Sequence, residues 1–263
     1  MATKKPKTAR AVHPNQGVEA AYRKRLDVLV SDMVRSFDYW ITAAYKANPP
    51  RMELAMDALP SQTLAKRIRA LTKQWEKRFN DVAKTVAEKF VDSGQVATTK
   101  AFQSALKDAG WAVEFQMTPA MRDAVNASIE ENIRLIKSIP QKYSAEVQGI
   151  VMRGFATGRD LSYITDELVK QTGICRRRAA TISRDQSNKL SAVVTQARRV
   201  ELGLFEAIWQ HSGGGREPRQ SHVKAGKDKL RYDVREGAYI DGDYIRPGEL
   251  INCRCVSKTV LPL

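Results

Sequence analysis

The sequence predicts a mainly α fold, built from long amphipathic helices, with a small α+β module at its C-terminal end. Between about residues 17 and 203, apolar residues recur at three- and four-residue steps, which is the period of a helix with one buried face. Beyond residue 203, glycines and turn-forming residues separate short apolar runs. The apolar fraction of 43% is ordinary for a folded protein. We therefore expect a basic flexible arm over residues 1–16, a helical body over 17–203 and a β-containing module over 204–263.

The first two helices are predicted from their stop signals and N-caps. The first is expected from about Val18 to Ala44, because the prolines that follow Asn48 cannot continue a helix. The second follows Ser61, a plausible N-cap, and is expected to end near Gly94.

The remaining helices are predicted in the same way. Thr118 caps a third helix, Pro119 occupies its first position and Pro140 ends it. Gly158 and Gly173 are expected to separate three further helices: Lys142 to Ala156, Leu161 to Thr172, and Arg177 to Glu201.

Apolar side chains at these spacings are interpreted as core. The stripe of the first helix comprises Val18, Tyr22, Leu26, Leu29, Met33, Phe37, Trp40 and Ala44. The stripe of the last helix comprises Ile182, Leu190, Val193, Ala197 and Val200.

The C-terminal module is expected to be irregular and rich in turns. Gly213 to Gly215 form a loop rather than a phosphate cradle, because no Lys-Ser/Thr pair follows them. Asp241 to Asp243 are interpreted as a hairpin turn rather than as an acid and base pair.

The formal charge of +15 indicates a polyanionic partner, because such an excess favours non-specific binding to phosphates. An ordinary solvated basic face is the alternative. The residues proposed to contact DNA lie in the arm and in the basic part of the last helix: Lys4, Lys5, Lys7, Arg10, Arg176, Arg177, Arg178, Arg198 and Arg199.

Membrane insertion and secretion are not expected. No window reaches the roughly 18 consecutive apolar residues of a membrane span, and the basic N-terminus has no apolar stretch behind it. Three cysteines are too few for a disulfide framework and favour a reducing compartment such as a bacterial cytoplasm.

The module also contains side chains that could carry chemistry. Cys253 and Cys255 would share one face of a strand and, with His222 and perhaps His211, are conceivable zinc ligands. The alternative to a zinc site is that Cys253 and Cys255 are two small, half-buried residues of a reduced protein. Arg254 and His222 could also activate a cysteine nucleophile, although no base-and-orienter arrangement is recognisable. We expect no catalytic residue, no cofactor and no bound metal, with His222, Cys253 and Cys255 as the candidate ligands should a metal be present.

Three stretches in order resemble the phage head-morphogenesis family, also described as phage Mu protein F-like minor head proteins. The resemblance covers residues 149–260. Its stretches are Arg184 to Leu190 (RDQSNKL), Ile208-Trp209 with Arg216 to His222 (REPRQSH), and Ile251 to Cys255 (INCRC). The motif residues proposed to brace the module are Trp209, Arg216, Arg219, His222, Asn252, Cys253, Arg254 and Cys255.

The resemblance implies a structural, non-enzymatic virion protein. It implies a place at the portal vertex inside the head, after assembly in the host cytoplasm, and a role in head assembly and DNA packaging or delivery. Its implied partners are the portal protein and double-stranded phage DNA, with scaffold or major capsid protein as further partners. Some family members carry four positions that look like a zinc knuckle, and Arg219 and Leu250 occupy two of those positions here.

Two other classes of function stay open from the sequence. One is a DNA-acting enzyme or toxin-like nuclease that uses the His and Cys residues of the C-terminal module. The other is a host-type DNA-binding regulatory protein, which would prefer a specific site where a minor head protein would be indifferent to sequence and sensitive to salt.

Overall fold

The computed structural model of the protein describes residues 7–47, 60–156, 161–215 and 217–262. Within these ranges the chain is mainly helical and ends in small antiparallel sheets, which confirms the predicted fold class. The predictions for Lys4, Lys5, Arg216, Gly158 and the helix stop after Asn48 lie outside the described residues.

Long helices dominate the chain order. The described elements are β1 (Thr8–Ala9), α1 (Gln16–Ala47), α2 (Pro60–Asp108), α3 (Pro119–Ala156), α4 (Leu161–Glu201), β2 (Glu206–Gln210), α5 (Gln220–Lys227), β3 (Arg231–Asp233), β4 (Ala238–Ile240), β5 (Asp243–Ile245) and β6 (Val256–Val260). No helix in the described part of the chain is both long and apolar enough to cross a membrane.

The chain forms two compact units whose boundaries differ from the predicted ones. The sheet unit comprises the described residues within Met1–Ala21, Glu88–Glu130 and Ser183–Leu263. The helical unit comprises the described residues within Tyr22–Ala87 and Glu131–Ile182. The C-terminal module therefore shares a unit with segments of the long helices instead of standing apart from residue 204 onward.

The first helix forms as predicted, and its stripe is mostly core. Tyr22, Leu26, Met33 and Phe37 are buried, whereas Trp40 is 39% exposed and is a wrong core assignment. The guanidinium carbon of Arg67 lies 3.5 Å from the centre of the Trp40 ring, so a cation packs on this partly exposed indole.

The second helix continues through Gly94, so the predicted end at this glycine is wrong. Gly94 is buried, and a Cβ atom placed there would lie 2.4 Å from Cδ2 of Leu190. The absent side chain therefore lets Leu190 of α4 approach the α2 backbone. Close packing, rather than helix termination, explains this glycine.

The third helix continues through Pro140, so the predicted end there is also wrong. Proline in a helix interior costs about 3 kcal/mol, because it removes one backbone hydrogen bond and crowds the preceding turn. Ile136, Ile139 and Tyr143 on either side of it are all buried. Their burial, at roughly 1.5–3 kcal/mol per side chain, exceeds that cost.

The fourth helix joins two predicted helices into one, because Gly173 does not end it. Leu168, Cys175 and Ala179 are buried on both sides of the glycine and continue one apolar stripe. Val200 is 42% exposed and is a second wrong core assignment. The buried side of the second half of this helix is partly polar, with small hydroxyls at every fourth residue beside Leu190 and Val194: Ser183, Ser187, Ser191 and Thr195.

The core of the helical unit comes from all four long helices. The rings of Phe37 and Tyr143 meet edge to face with centroids 5.4 Å apart. The hydroxyl of Tyr22 donates to Oδ1 of Asn132 at 2.9 Å, and both side chains are buried. The buried polar pair is thus hydrogen-bonded, as burial requires.

The sheet unit contains a four-stranded antiparallel sheet in the order β1-β6-β2-β3 and a two-stranded β4-β5 hairpin. In the central pairing, Trp209 of β2 lies opposite Ser257 of β6. Asp241 and Gly242 form the two-residue turn between β4 and β5, and both have positive φ. The predicted hairpin turn is therefore confirmed.

The predicted flexible arm is wrong for its described residues. Thr8 and Ala9 pair with Val260 and Thr259, and Ala9, Ala11 and Val12 are buried. Ala9 and Val12 belong to a core cluster with Phe102, Leu106, Leu204 and Leu261. The basic residues of this segment predict solvent exposure, but its small apolar residues are buried in that core cluster.

Candidate functional site

One histidine and two cysteines form a buried cluster in the sheet unit. Nδ1 of His222 lies 3.5 Å from Sγ of Cys253 and 3.7 Å from Sγ of Cys255. Each of the three residues is at most 5% exposed. Their ligand atoms all lie within 4.8 Å of one another, and no other such cluster of three His, Cys, Asp or Glu residues occurs in the described ranges.

Regular elements hold these side chains in place. His222 lies on α5, and the two cysteines come directly before β6. Trp209 of β2 meets the His222 ring edge to face, with centroids 5.1 Å apart and an interplanar angle of 80°. Cys253 and Cys255 are buried while Arg254 between them is exposed, which is the alternation expected of extended chain.

A tight turn places the first cysteine. The Cys253 amide donates to the carbonyl of Leu250 at 2.9 Å, and the Gly248 amide donates to Sγ of Cys253 at 3.4 Å. Gly248 has φ +86°, and a Cβ atom there would lie 3.2 Å from the carbonyl oxygen of Asn188. The turn thus requires glycine at this position, both for its backbone conformation and for its close approach to α4.

Asn252, the residue before Cys253 in this turn, is held by α4. Asn252 has φ +61°, and its amide donates to Oδ1 of Asp185 at 2.9 Å. Nη2 of Arg184 donates to Oδ1 of Asn252 at 3.4 Å. Asn tolerates the left-handed conformation better than other non-glycine residues, so the residue type suits this position.

The pKa values of the two thiols are shifted in opposite directions. A hydrogen bond from Cys255, assisted by the Gly248 amide, lowers the pKa of Cys253 to about 5. The same hydrogen bond and burial raise the pKa of Cys255. The two thiols therefore titrate as a coupled pair in which Cys253 is the more acidic.

The imidazole of His222 turns one ring nitrogen toward the sulfurs. Nδ1 faces the two sulfurs, whereas Nε2 is buried and has no hydrogen-bond partner among the described residues. Nδ1 is therefore the ring nitrogen placed to share a ligand with the sulfurs.

A cavity of about 300 Å³ opens beside the cluster. Its walls include all three residues, the loop around Gly214 and the side chains of Arg219 and Arg254. The predicted glycine loop thus forms part of a recess rather than a phosphate cradle. A small ligand has a route to the sulfurs from this side.

The other motif residues in the described part of the chain surround the cluster without joining it. Arg219 and Arg254 are exposed, and Nη2 of Arg219 donates to the carbonyl of Ile251 at 3.2 Å. Nδ1 of His211 accepts the Gly213 amide at 3.1 Å, and His211 lies outside the ligand cluster. Arg219 thus supports the turn that carries Cys253.

The proposed DNA-contact residues differ in the solvent exposure of their side chains. Lys7, Arg10, Arg176 and Arg177 are exposed, although Arg10 also pairs with Asp108 at 3.1 Å. Arg178 is half-buried, and its Nη2 donates to Oγ of Ser138 at 2.9 Å.

Arg198 and Arg199 are wrong as DNA-contact residues, because they are 2% and 4% exposed. Nη1 of Arg198 donates to the carbonyl of Gln116 at 2.6 Å and to Oε2 of Glu201 at 2.7 Å. Burial lowers the pKa of Arg199, whose hydrogen bonds go to Ser257 and Thr259 of β6.

Two residues that place the cluster have no recognisable signal in the sequence. Asp185 lies within the first resembling stretch, and Gly248 lies among the turn residues of the C-terminal module. Nothing in the local pattern identifies a partner 67 residues away, as Asp185 and Asn252 are. For Arg199, the signal was the spacing of Ser183, Ser187, Ser191 and Thr195, which places Arg199 next on the same helical face.

Comparison with known proteins identifies one relative and no family. An uncharacterized protein of Haemophilus influenzae is 35% identical over 185 residues, which cover 68% of this chain. The chain spans 39% of that relative's length. No family model matches the chain, and no solved structure matches it at a significant level.

Proposed function

We propose that the protein is a structural minor head protein of a tailed phage. In this role it binds the portal vertex inside the head, assists head assembly and DNA packaging or delivery, and contacts double-stranded DNA without sequence preference. The proposal rests on the resemblance described above, and the geometry of the sheet unit supports it.

The observation that carries the proposal is the convergence of the three resembling stretches. Asp185 of the first stretch accepts the amide of Asn252 in the third. His222 of the second stretch lies against Cys253 and Cys255 of the third, and Trp209 packs on the His222 ring. Residues far apart in the chain thus form one brace, as expected if the three stretches belong to a single module.

The surface charge is consistent with a polyanionic partner. The chain carries +15, and Arg176 and Arg177 are exposed on α4. Guanidinium groups that reach phosphates supply sequence-independent affinity. The burial of Arg198 and Arg199 reduces the proposed DNA surface to fewer residues without removing it.

The deciding experiment combines virion composition with portal binding. Particles of a phage that encodes this chain are purified and their proteins counted by quantitative mass spectrometry, while the tagged chain is co-expressed with the portal protein. We expect low-copy incorporation and a stable complex with the portal. An unrelated basic protein of similar size serves as the control for charge alone.

Absence from particles together with no portal binding would contradict the proposal. A metal-dependent DNA cleavage activity that is lost in His222→Ala would favour the enzyme alternative instead. A preferred DNA operator that survives at physiological salt would favour a regulatory protein.

A further inference from the structure

We propose that Nδ1 of His222 and the sulfurs of Cys253 and Cys255 bind one Zn²⁺ ion, with a fourth position open to the adjoining cavity. This site goes beyond the proposed function and is independent of it. It concerns this chain's own ligand atoms, and its test needs neither a phage particle nor a portal protein.

The separations of the ligand atoms fit a shared ion. Zn–N bonds of about 2.0–2.1 Å and Zn–S bonds of about 2.3 Å at a tetrahedral angle place nitrogen and sulfur about 3.5 Å apart. The observed separations from Nδ1 of His222 are 3.5 Å to Cys253 and 3.7 Å to Cys255. Both sulfurs therefore lie at the distance from Nδ1 that a shared ion requires, and all three ligand atoms lie within 4.8 Å of one another.

The donor set selects a metal of the zinc type. Two thiolates and one neutral imidazole are ligands that zinc prefers over oxygen-seeking ions such as Mg²⁺ and Ca²⁺. Binding displaces to solvent any proton that the two sulfurs still hold, and the two thiolate charges then cancel the charge of the ion. A neutral complex is the form that a buried site tolerates best.

Neighbouring groups orient the three donor side chains. The Gly248 amide donates to the sulfur of Cys253, which stabilises its thiolate form and orients it. The edge-to-face contact with Trp209 restricts the His222 ring. The cysteines have no disulfide partner, so both sulfurs are available.

The cavity supplies the fourth position. Three protein donors leave one place in a tetrahedral site, and the recess of about 300 Å³ reaches all three of them. A water molecule or another exchangeable ligand from this recess completes the coordination. The site is thus distinct from a closed knuckle that uses four protein ligands.

The test measures zinc directly. The full chain is purified without chelators, and its zinc content is determined by mass spectrometry of the metal. We expect about one zinc per chain, lost in Cys253→Ser, Cys255→Ser and His222→Gln. Cys175→Ser is the matched control, because Cys175 is a buried cysteine of the helical unit, outside the cluster.

A second measurement keeps the test decisive if the variants fold poorly. The zinc-free wild-type chain is titrated with Co²⁺. We expect thiolate-to-cobalt charge-transfer bands, together with intense visible absorption bands, to reach their full height at one equivalent. Zinc should also protect Cys253 and Cys255 from alkylation while leaving Cys175 unaffected. No bound zinc together with no thiolate bands would overturn the proposal, as would equal loss of metal in Cys175→Ser.

Discussion

The guanidinium of Arg199 holds Ser257 through two hydrogen bonds, to its hydroxyl oxygen at 2.8 Å and to its carbonyl oxygen at 2.9 Å. Its Nε also donates to Oγ1 of Thr259 at 2.8 Å, and the Tyr232 hydroxyl donates to Oγ of Ser257 at 3.0 Å. A buried arginine of α4 thus fixes the side chains and backbone of β6. The cysteines of the candidate site come directly before this strand.

Removing this arginine is predicted to loosen β6. Arg199→Met leaves the oxygens of Ser257 and Thr259 buried without their donor, so we expect the sheet unit to lose about 3 kcal/mol of stability. Arg199→Lys should restore only part of this loss, since an ammonium cannot reproduce the planar fork. Hydrogen exchange of the β6 amides measures the effect.

Arg176→Met is the control for Arg199, because Arg176 is exposed on the same helix. Its effect should stay within about 0.5 kcal/mol. Equal protection of β6 in Arg199→Met and the wild type would contradict the structural role of Arg199.

The contact between Gly94 and Leu190 makes a second prediction. Glycine to alanine in a helix interior ordinarily stabilises by about 1 kcal/mol. Here the added Cβ would lie 2.4 Å from Cδ2 of Leu190, so we expect Gly94→Ala to destabilise by about 1–3 kcal/mol through overpacking. The midpoint of urea unfolding measures this change.

A double-mutant cycle separates the two effects on α2. In a Leu190→Ala background the clash is gone, so Gly94→Ala should there become neutral or stabilising. A destabilisation of equal size in both backgrounds would show that Leu190 is not the cause.

The carboxylate of Asp233 leads to a prediction about how stability depends on pH. Hydrogen bonds from the Arg235 side chain, assisted by the Arg235 amide, lower the pKa of Asp233 to about 2 from its ordinary value of 3.8. Because the folded pKa is the lower one, its stabilisation is present above about pH 4 and is lost as the pH falls toward 2. The pair is partly exposed, so salt should weaken this contribution.

The Asp233 titration is best followed by NMR of its carboxyl carbon. In Arg235→Gln the pKa should rise toward its ordinary value, because the main donor is removed. A midpoint that does not move between the wild type and Arg235→Gln would contradict the assignment of Arg235 as the cause.

The exposed arginines of α4 make a prediction about DNA. If Arg176 and Arg177 each contact one phosphate, replacing both by alanine should reduce the slope of log K against log salt by about 2. Affinity should fall equally for DNA of different sequences. Equilibrium titrations at several salt concentrations measure the slope.

A matched variant controls for the loss of charge on α4. Lys66→Ala with Lys73→Ala removes the same charge from exposed positions on α2. An equal reduction of the slope by both double variants would show that net charge, rather than contact by Arg176 and Arg177, attracts the DNA.

Local pattern in the sequence was enough to predict the fold class and several boundaries. The helical period defined α1, and the Asp241-Gly242 pair defined the turn between β4 and β5. These features depend on short-range rules of side-chain spacing and backbone conformation. The exposed state of Arg176 and Arg177 also followed from their position in a basic helix face.

Only the tertiary structure decided the roles of particular glycine, proline and arginine residues. Gly94 and Pro140 lie inside helices because packing around them outweighs their intrinsic preference against a helix. Arg198 and Arg199 are buried because polar groups distant in the chain accept their hydrogen bonds. The sequence placed His222, Cys253 and Cys255 in one module. Their convergence within hydrogen-bonding distance depends on contacts across 31 and 33 residues, which no local pattern contains.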